Sequence, residues 1–143
     1  MSLVEDGRVS WRDLADEVGL SVTPTLRRVR RLEDEGYIQG YSARLNERRL
    51  GGAVSVYVSV TLASQAEDTL AAFEARIVEL PEVMSCFLMT GGADYMLRVV
   101  VPSLDAYQEF LMRGLTRIAG ISHIQSSFAL REVIQRPATA LKA

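Results

Sequence analysis

The sequence predicts an α+β fold, a small winged helix-turn-helix followed by a ferredoxin-like βαββαβ domain. Three observations predict it. Apolar residues recur at helical spacing in the first part of the chain and switch to strict alternation over residues 54–62. Two short amphipathic stretches meet at Val18-Gly19-Leu20-Ser21, the punctuation of a helix-turn-helix. Beyond them the patterns run strand, helix, strand, strand, helix, strand, which is the split βαβ order. The 143 residues suit two small domains, here residues 1–45 and 46–143.

In the first part, Ser10 precedes Trp11, Leu14, Ala15 and Val18 at helical spacing, with Asp13 three residues on as a weak capping box and Gly19 as the stop. Ser21 caps a second helix from Val22 to about Glu35, with Val22, Leu26, Val29 and Leu32 on one side and Gly36 beyond its end. Tyr37-Ile38-Gln39-Gly40-Tyr41 then reads as a short extended wing, and Leu45 to Gly52 as a linker. Val54, Val56, Val58, Val60 and Leu62 alternate with Ser55, Tyr57, Ser59 and Thr61, the pattern of a half-buried strand. A helix over residues 66–80 lines up Leu70, Phe73, Ile77 and Leu80 and closes at Pro81. Strands are expected at Met84 to Thr90 and Tyr95 to Val101, around the turn Gly91-Gly92-Ala93-Asp94. Leu104 to Ile118 forms the second amphipathic helix, and a last strand covers Ser122 to Ile134. Both helices pack on one sheet face. The other face, with Tyr57, Ser59 and Thr61, is left for a second copy of the domain or for solvent.

Composition narrows the function classes. With 48% hydrophobic residues and a net charge of −2 the chain can bury a core, and no apolar run reaches the roughly 18 residues that cross a bilayer. The start MSLVEDGRV has no apolar stretch of signal-peptide type, so the cytoplasm is the expected compartment. One cysteine, Cys86, and one histidine, His123, make neither a disulfide nor a zinc cluster. Cys86 reads as a small core hydrophobe, and Gly91-Gly92 lacks the Lys-Ser/Thr of a phosphate loop. No metal site and no catalytic residue is expected, and an enzyme of ferredoxin-like fold is disfavoured because no acid and base are paired.

The near-neutral total hides a basic stripe: residues 26–31 read Leu-Arg-Arg-Val-Arg-Arg. On a helical wheel Pro24, Arg27, Arg28 and Arg31 lie opposite Val22, Leu26 and Val29. Such a face reads either as solvated, with Arg31 and Glu35 paired across one turn, or as a grip on phosphate and guanine edges. Ser21, Thr23 and Thr25 occupy the first turn, where free backbone N–H groups and short hydroxyls suit phosphate.

The run Ser21-Val22-Thr23-Pro24-Thr25-Leu26-Arg27-Arg28-Val29-Arg30-Arg31-Leu32-Glu33, followed by Glu35-Gly36-Tyr37-Ile38-Gln39-Gly40-Tyr41, closely resembles the Lrp/AsnC family of feast/famine transcription regulators. The likeness continues through Thr90-Gly91-Gly92-Ala93-Asp94-Tyr95 to Glu132-Val133. The resemblance implies a recognition helix at Ser21 to Glu35 that meets double-stranded operator DNA through Ser21, Thr23, Thr25, Arg27, Arg28 and Arg31. It implies an amino acid effector, no other cofactor, and homodimers that assemble into tetramers or octamers. The effector pocket, placed between dimers, falls on Gly91, Gly92, Asp94 and Tyr95, on Leu104, and on Gln125, Ser126 and Ser127. Glycine turns expose N–H groups to a carboxylate, and Asp94 is either the receiver of the ammonium or an ordinary turn-forming carboxylate. Family members begin with another helix ahead of Asp6-Gly7-Arg8, where this chain supplies Met1 to Glu5. The resemblance therefore also implies a shortened first helix, leaving Trp11, Leu14 and Leu26 short of partners. An effector-sensing oligomerisation partner that does not itself bind DNA is the alternative.

Overall fold

A computed structural model describes residues 2–135. The chain forms two compact units, one built on residues up to Arg44 and the other running from Leu45 to Val133.

The first unit contains α1 (Ser2–Glu5), α2 (Trp11–Glu17) and α3 (Val22–Asp34). Ser10 caps α2 as its sequence requires: its Oγ accepts from the Asp13 N–H at 3.1 Å and donates to Asp13 Oδ2 at 2.6 Å. Ser21 stands at the N-cap of α3 without a side-chain capping bond. Leu14, Ala15 and Val29 form the small core between α2 and α3. Leu14 is therefore better covered than its sequence context implied, whereas Trp11 is 43% exposed. Beside the single turn of α1 lies an apolar groove of about 320 Å³, floored by Leu14, Val18, Val29 and Leu32. Tyr37 to Tyr41, read as a short extended wing, has no ladder partner among the described residues. The segment is tied to α3, with the Ile38 N–H donating to the Leu32 carbonyl at 3.0 Å and the Tyr41 hydroxyl to Glu33 Oε1 at 3.0 Å.

The second unit holds β1 (Val54–Leu62), α4 (Glu67–Ile77), β2 (Val83–Leu88), β3 (Tyr95–Val101), α5 (Leu104–Arg113) and β4 (Ile121–Phe128). The strands form one antiparallel sheet in the order β2-β3-β1-β4, the ferredoxin-like topology. Val56, Val58, Val60 and Leu62 of β1, with Leu97, Val99 and Val101 of β3, meet Phe73 and Ile77 of α4 and Tyr107 and Phe110 of α5 in one buried core. Each such side chain stabilises the fold by about 1.5–3 kcal/mol. Period two in β1 thus reports burial on one face only, as expected.

Several boundaries differ from the sequence reading: α4 ends at Ile77 rather than residue 80, and β2 at Leu88 rather than Thr90. The helix α5 stops at Arg113 rather than Ile118, because Gly114 breaks it and residues 115–117 form a separate 3₁₀ turn that buries Leu115. The last strand ends at Phe128 rather than Ile134. One further ladder bond, from the Ala129 N–H to the Ser55 carbonyl at 2.9 Å, exhausts β1, whose first residue is Val54.

The face opposite the helices is open. Tyr57, Ser59 and Thr61 of β1 line it, with Phe87 of β2 and Met96 of β3 on one side and His123, Gln125 and Ser127 of β4 on the other. Tyr57 is 45% exposed and Phe87 59%.

Candidate functional site

The structure sorts the side chains of α3 by its 3.6-residue period. Thr25 and Val29 point inward, whereas Arg27, Arg28, Arg30 and Arg31 are all exposed. Arg27 and Arg31, one turn apart, stand opposite Val29, and Arg28 borders the apolar groove. Arg31 Nε lies 3.5 Å from Glu35 Oε1, but both side chains are well exposed, so this pair contributes at most about 1 kcal/mol and leaves the guanidinium available. Thr25 corrects the sequence reading. It is 3% exposed, and its hydroxyl donates to the Ser21 carbonyl at 3.0 Å, so it closes the first turn instead of facing DNA. Ser21 and Thr23 are exposed at that turn, beside N–H groups that no side chain caps. Arg30 is a cation of this surface that the sequence reading left out, although its place in the run Arg27 to Arg31 was the available signal.

In the second unit the residues assigned to the effector divide into two groups. Gly91, Gly92, Asp94 and Tyr95 belong to the β2–β3 turn, where the Met89 N–H donates to the Asp94 carbonyl at 2.8 Å and the Asp94 N–H to the Val60 carbonyl at 2.9 Å. This is the end of β1 that carries Leu62. Leu104 instead follows the far end of β3, whose Val101 pairs with Val54, and Ser127 pairs with Tyr57. At about 3.3 Å per residue the length of β1 separates the turn from Leu104 by on the order of 25 Å. A single copy does not bring the turn and Leu104 together, while Gln125, opposite Ser59, lies between them on the sheet.

Their orientations also differ. Gly91 and Gly92 are exposed, and Gly91 has a φ of +118°, a conformation that keeps side chains away and leaves the backbone bare. Leu104, Gln125 and Ser127 are exposed as well. Tyr95 is buried: its ring packs on Phe73 at 4.5 Å between centroids and its hydroxyl donates to Glu74 Oε1 at 2.7 Å. Burial, then the bond to Glu74, pushes its phenol well above the usual range, so it stays neutral. Ser126 faces the helices and shares a 2.5 Å hydrogen bond with the Tyr107 hydroxyl. Asp94 is 8% exposed, and its Oδ2 accepts from the Leu62 N–H at 2.7 Å while its Oδ1 accepts from Gln65 Nε2 at 2.8 Å. The carboxylate therefore braces the turn against the end of β1, and deleting it would orphan a buried N–H at a cost of about 1–3 kcal/mol. Cys86 packs against the core, and burial raises its thiol pKa, as a structural cysteine requires.

These two units match known domain models in the same order. Residues 2–39 match a winged helix-turn-helix DNA-binding domain, and residues 55–139 match the Lrp/AsnC ligand-binding domain. The chain belongs to the Lrp/AsnC family. Lrp/AsnC proteins are DNA-binding transcription regulators, and the cationic face of α3 lies within the matched helix-turn-helix segment. Among relatives of the Lrp/AsnC chain, the Bkd operon transcriptional regulator of Pseudomonas aeruginosa is 65% identical over 140 residues, covering 98% of this chain and 92% of that protein. The leucine-responsive regulatory protein of Escherichia coli K12 is 39% identical, covering 98% and 85%. A transcriptional regulator from Neisseria meningitidis, solved with L-methionine, superposes with a TM-score of 0.89 at 33% identity over 94% of this chain and 87% of that one. The feast or famine regulatory protein of Mycobacterium tuberculosis, complexed with L-methionine, gives 0.84 at 35% identity, covering 94% and 88%.

Proposed function

We propose that this Lrp/AsnC regulator binds operator DNA through α3 and changes its assembly or operator affinity when an amino acid docks at the Gly91-Gly92 turn between copies. The observation that carries the reading is the division of the candidate residues. The bare turn and the exposed Leu104 lie a strand length apart in one copy, so a pocket using both needs another copy to complete it. Gly91 and Gly92 offer N–H groups to the effector carboxylate, and Leu104 offers an apolar contact to its side chain. Asp94, Tyr95 and Ser126 hold the shape of the site from within. The L-methionine complexes of two related structures support an amino acid as the class of ligand. A homodimer that builds tetramers or octamers, working in the cytoplasm on double-stranded DNA, fits this reading. No helix among the described residues is long and apolar enough to cross a membrane.

Gly92→Leu tests the site. A Cβ at Gly92 meets no atom within 4 Å, so the fold tolerates a side chain there while the approach to the turn does not. Calorimetry against a panel of amino acids is expected to show saturable binding of at least one by the unaltered protein and at least tenfold weaker binding by the variant, equivalent to about 1.4 kcal/mol. Equal affinities would place the effector elsewhere.

A further inference from the structure

Residues 47–50 form a 3₁₀ turn at the start of the second unit, and the turn carries Arg48 and Arg49. Its single acid, Glu47, is held by Arg98 of β3 in a two-pronged ion pair, Nη2 to Oε2 at 2.6 Å and Nη1 to Oε1 at 3.1 Å. Arg48 and Arg49 are exposed, and neither has an ion-pair partner among the described residues. Neutralising Glu47 from below thus leaves a corner with two uncompensated positive charges, in a chain whose net charge is −2.

The corner is rigidly seated. Asn46 Oδ1 accepts from the Arg49 N–H at 3.2 Å, and the Gly52 N–H donates to the Glu47 carbonyl at 2.8 Å. A Cβ on Gly52 would lie 2.7 Å from Val100 Cγ1, so the backbone sits directly on β3 with no space between. Residues 36–46, which lead into the turn, contain no acidic residue and add Arg44.

We propose that Arg48 and Arg49 form a second DNA contact, outside the helix-turn-helix, that grips backbone phosphates without reading sequence. The inference rests on the DNA-binding reading of α3. A guanidinium matches two phosphate oxygens in its plane, and arginines fixed on a seated turn lose little freedom on binding. Contacts of this kind position a protein on the duplex and release counterions, but they carry no base information.

The test uses the full chain and a mixed-sequence duplex of about four helical turns, with affinity measured across a series of salt concentrations. Arg48→Ala/Arg49→Ala is expected to lower the slope of log affinity against log salt by about 1.8, at about 0.9 per phosphate contact. Arg48→Lys/Arg49→Lys, which keeps both charges, is expected to restore the slope. Arg27→Ala/Arg31→Ala serves as the reference. If the reference lowers the slope and the Arg48/Arg49 alanine pair does not, the second contact is overturned while the role of α3 stands. If neither lowers it, the DNA-binding reading itself fails. A lysine pair as defective as the alanine pair would also overturn the proposal, because charge would then not be the agent.

Discussion

Alanine at both Arg27 and Arg31 is expected to weaken DNA binding by at least about 100-fold. Each charge-assisted hydrogen bond contributes about 1.5–3 kcal/mol, and every 1.4 kcal/mol is a factor of ten. The lower end applies, since both guanidinium groups are exposed and hydrated before binding. Their removal should also lower the salt slope by about 1.8. Stability should stay within about 0.5 kcal/mol, because the only internal partner either residue has among the described residues is the exposed Glu35. Fluorescence anisotropy at several salt concentrations, with thermal melting beside it, separates the two effects. An unchanged slope would remove both residues from the interface.

Much of the cationic face of α3 was legible in the sequence, and the errors have identifiable causes. Thr25 was assigned by residue type, as a hydroxyl in a first helical turn, but it lies four residues before Val29 and so shares its buried side. The effector residues show the same conflict between type and parity. Tyr95 continues the row Leu97, Val99, Val101, which alternation alone assigns to the core. Ser126 sits out of phase with Gln125 and Ser127, so one strand cannot present all three to the same ligand. The end of β4 was a different problem: Leu130, Val133 and Ile134 prolong the apolar pattern, yet a strand persists only where a neighbour supplies a ladder, and β1 begins at Val54. Asp94 was read from its place in a turn. Its two bonds, to Leu62 and Gln65, depend on long-range folding that no local pattern announces.

Ser59→Glu is expected to shift the protein from dimer toward monomer. The open sheet face presents Tyr57, Ser59 and Thr61 beside Phe87 and Met96, and two-fold packing of this face on itself would repeat every substitution on both sides. Like charges forced together in an interface cost several kcal/mol, which corresponds to a loss of association of 100-fold or more. Ser59 is a sharper probe than Tyr57. Tyr57 lies across the ladder from Arg98, so a carboxylate there would also disturb the Arg98–Glu47 ion pair, whereas Ser59 lies between Met96 and Gln125. Sedimentation at a series of protein concentrations gives the answer, and an unaltered dimer would mean that this face stays solvated.

The proposed coupling joins a DNA-binding helix to an amino acid site completed between copies. Its most direct test is the affinity for operator DNA, measured by anisotropy with and without each standard amino acid at saturating concentration. At least one amino acid should change that affinity by about 5–150-fold, the range of ordinary allosteric coupling, and DNA should change the affinity for that amino acid by the same factor. Superimposable DNA-binding curves for every amino acid would rule such coupling out.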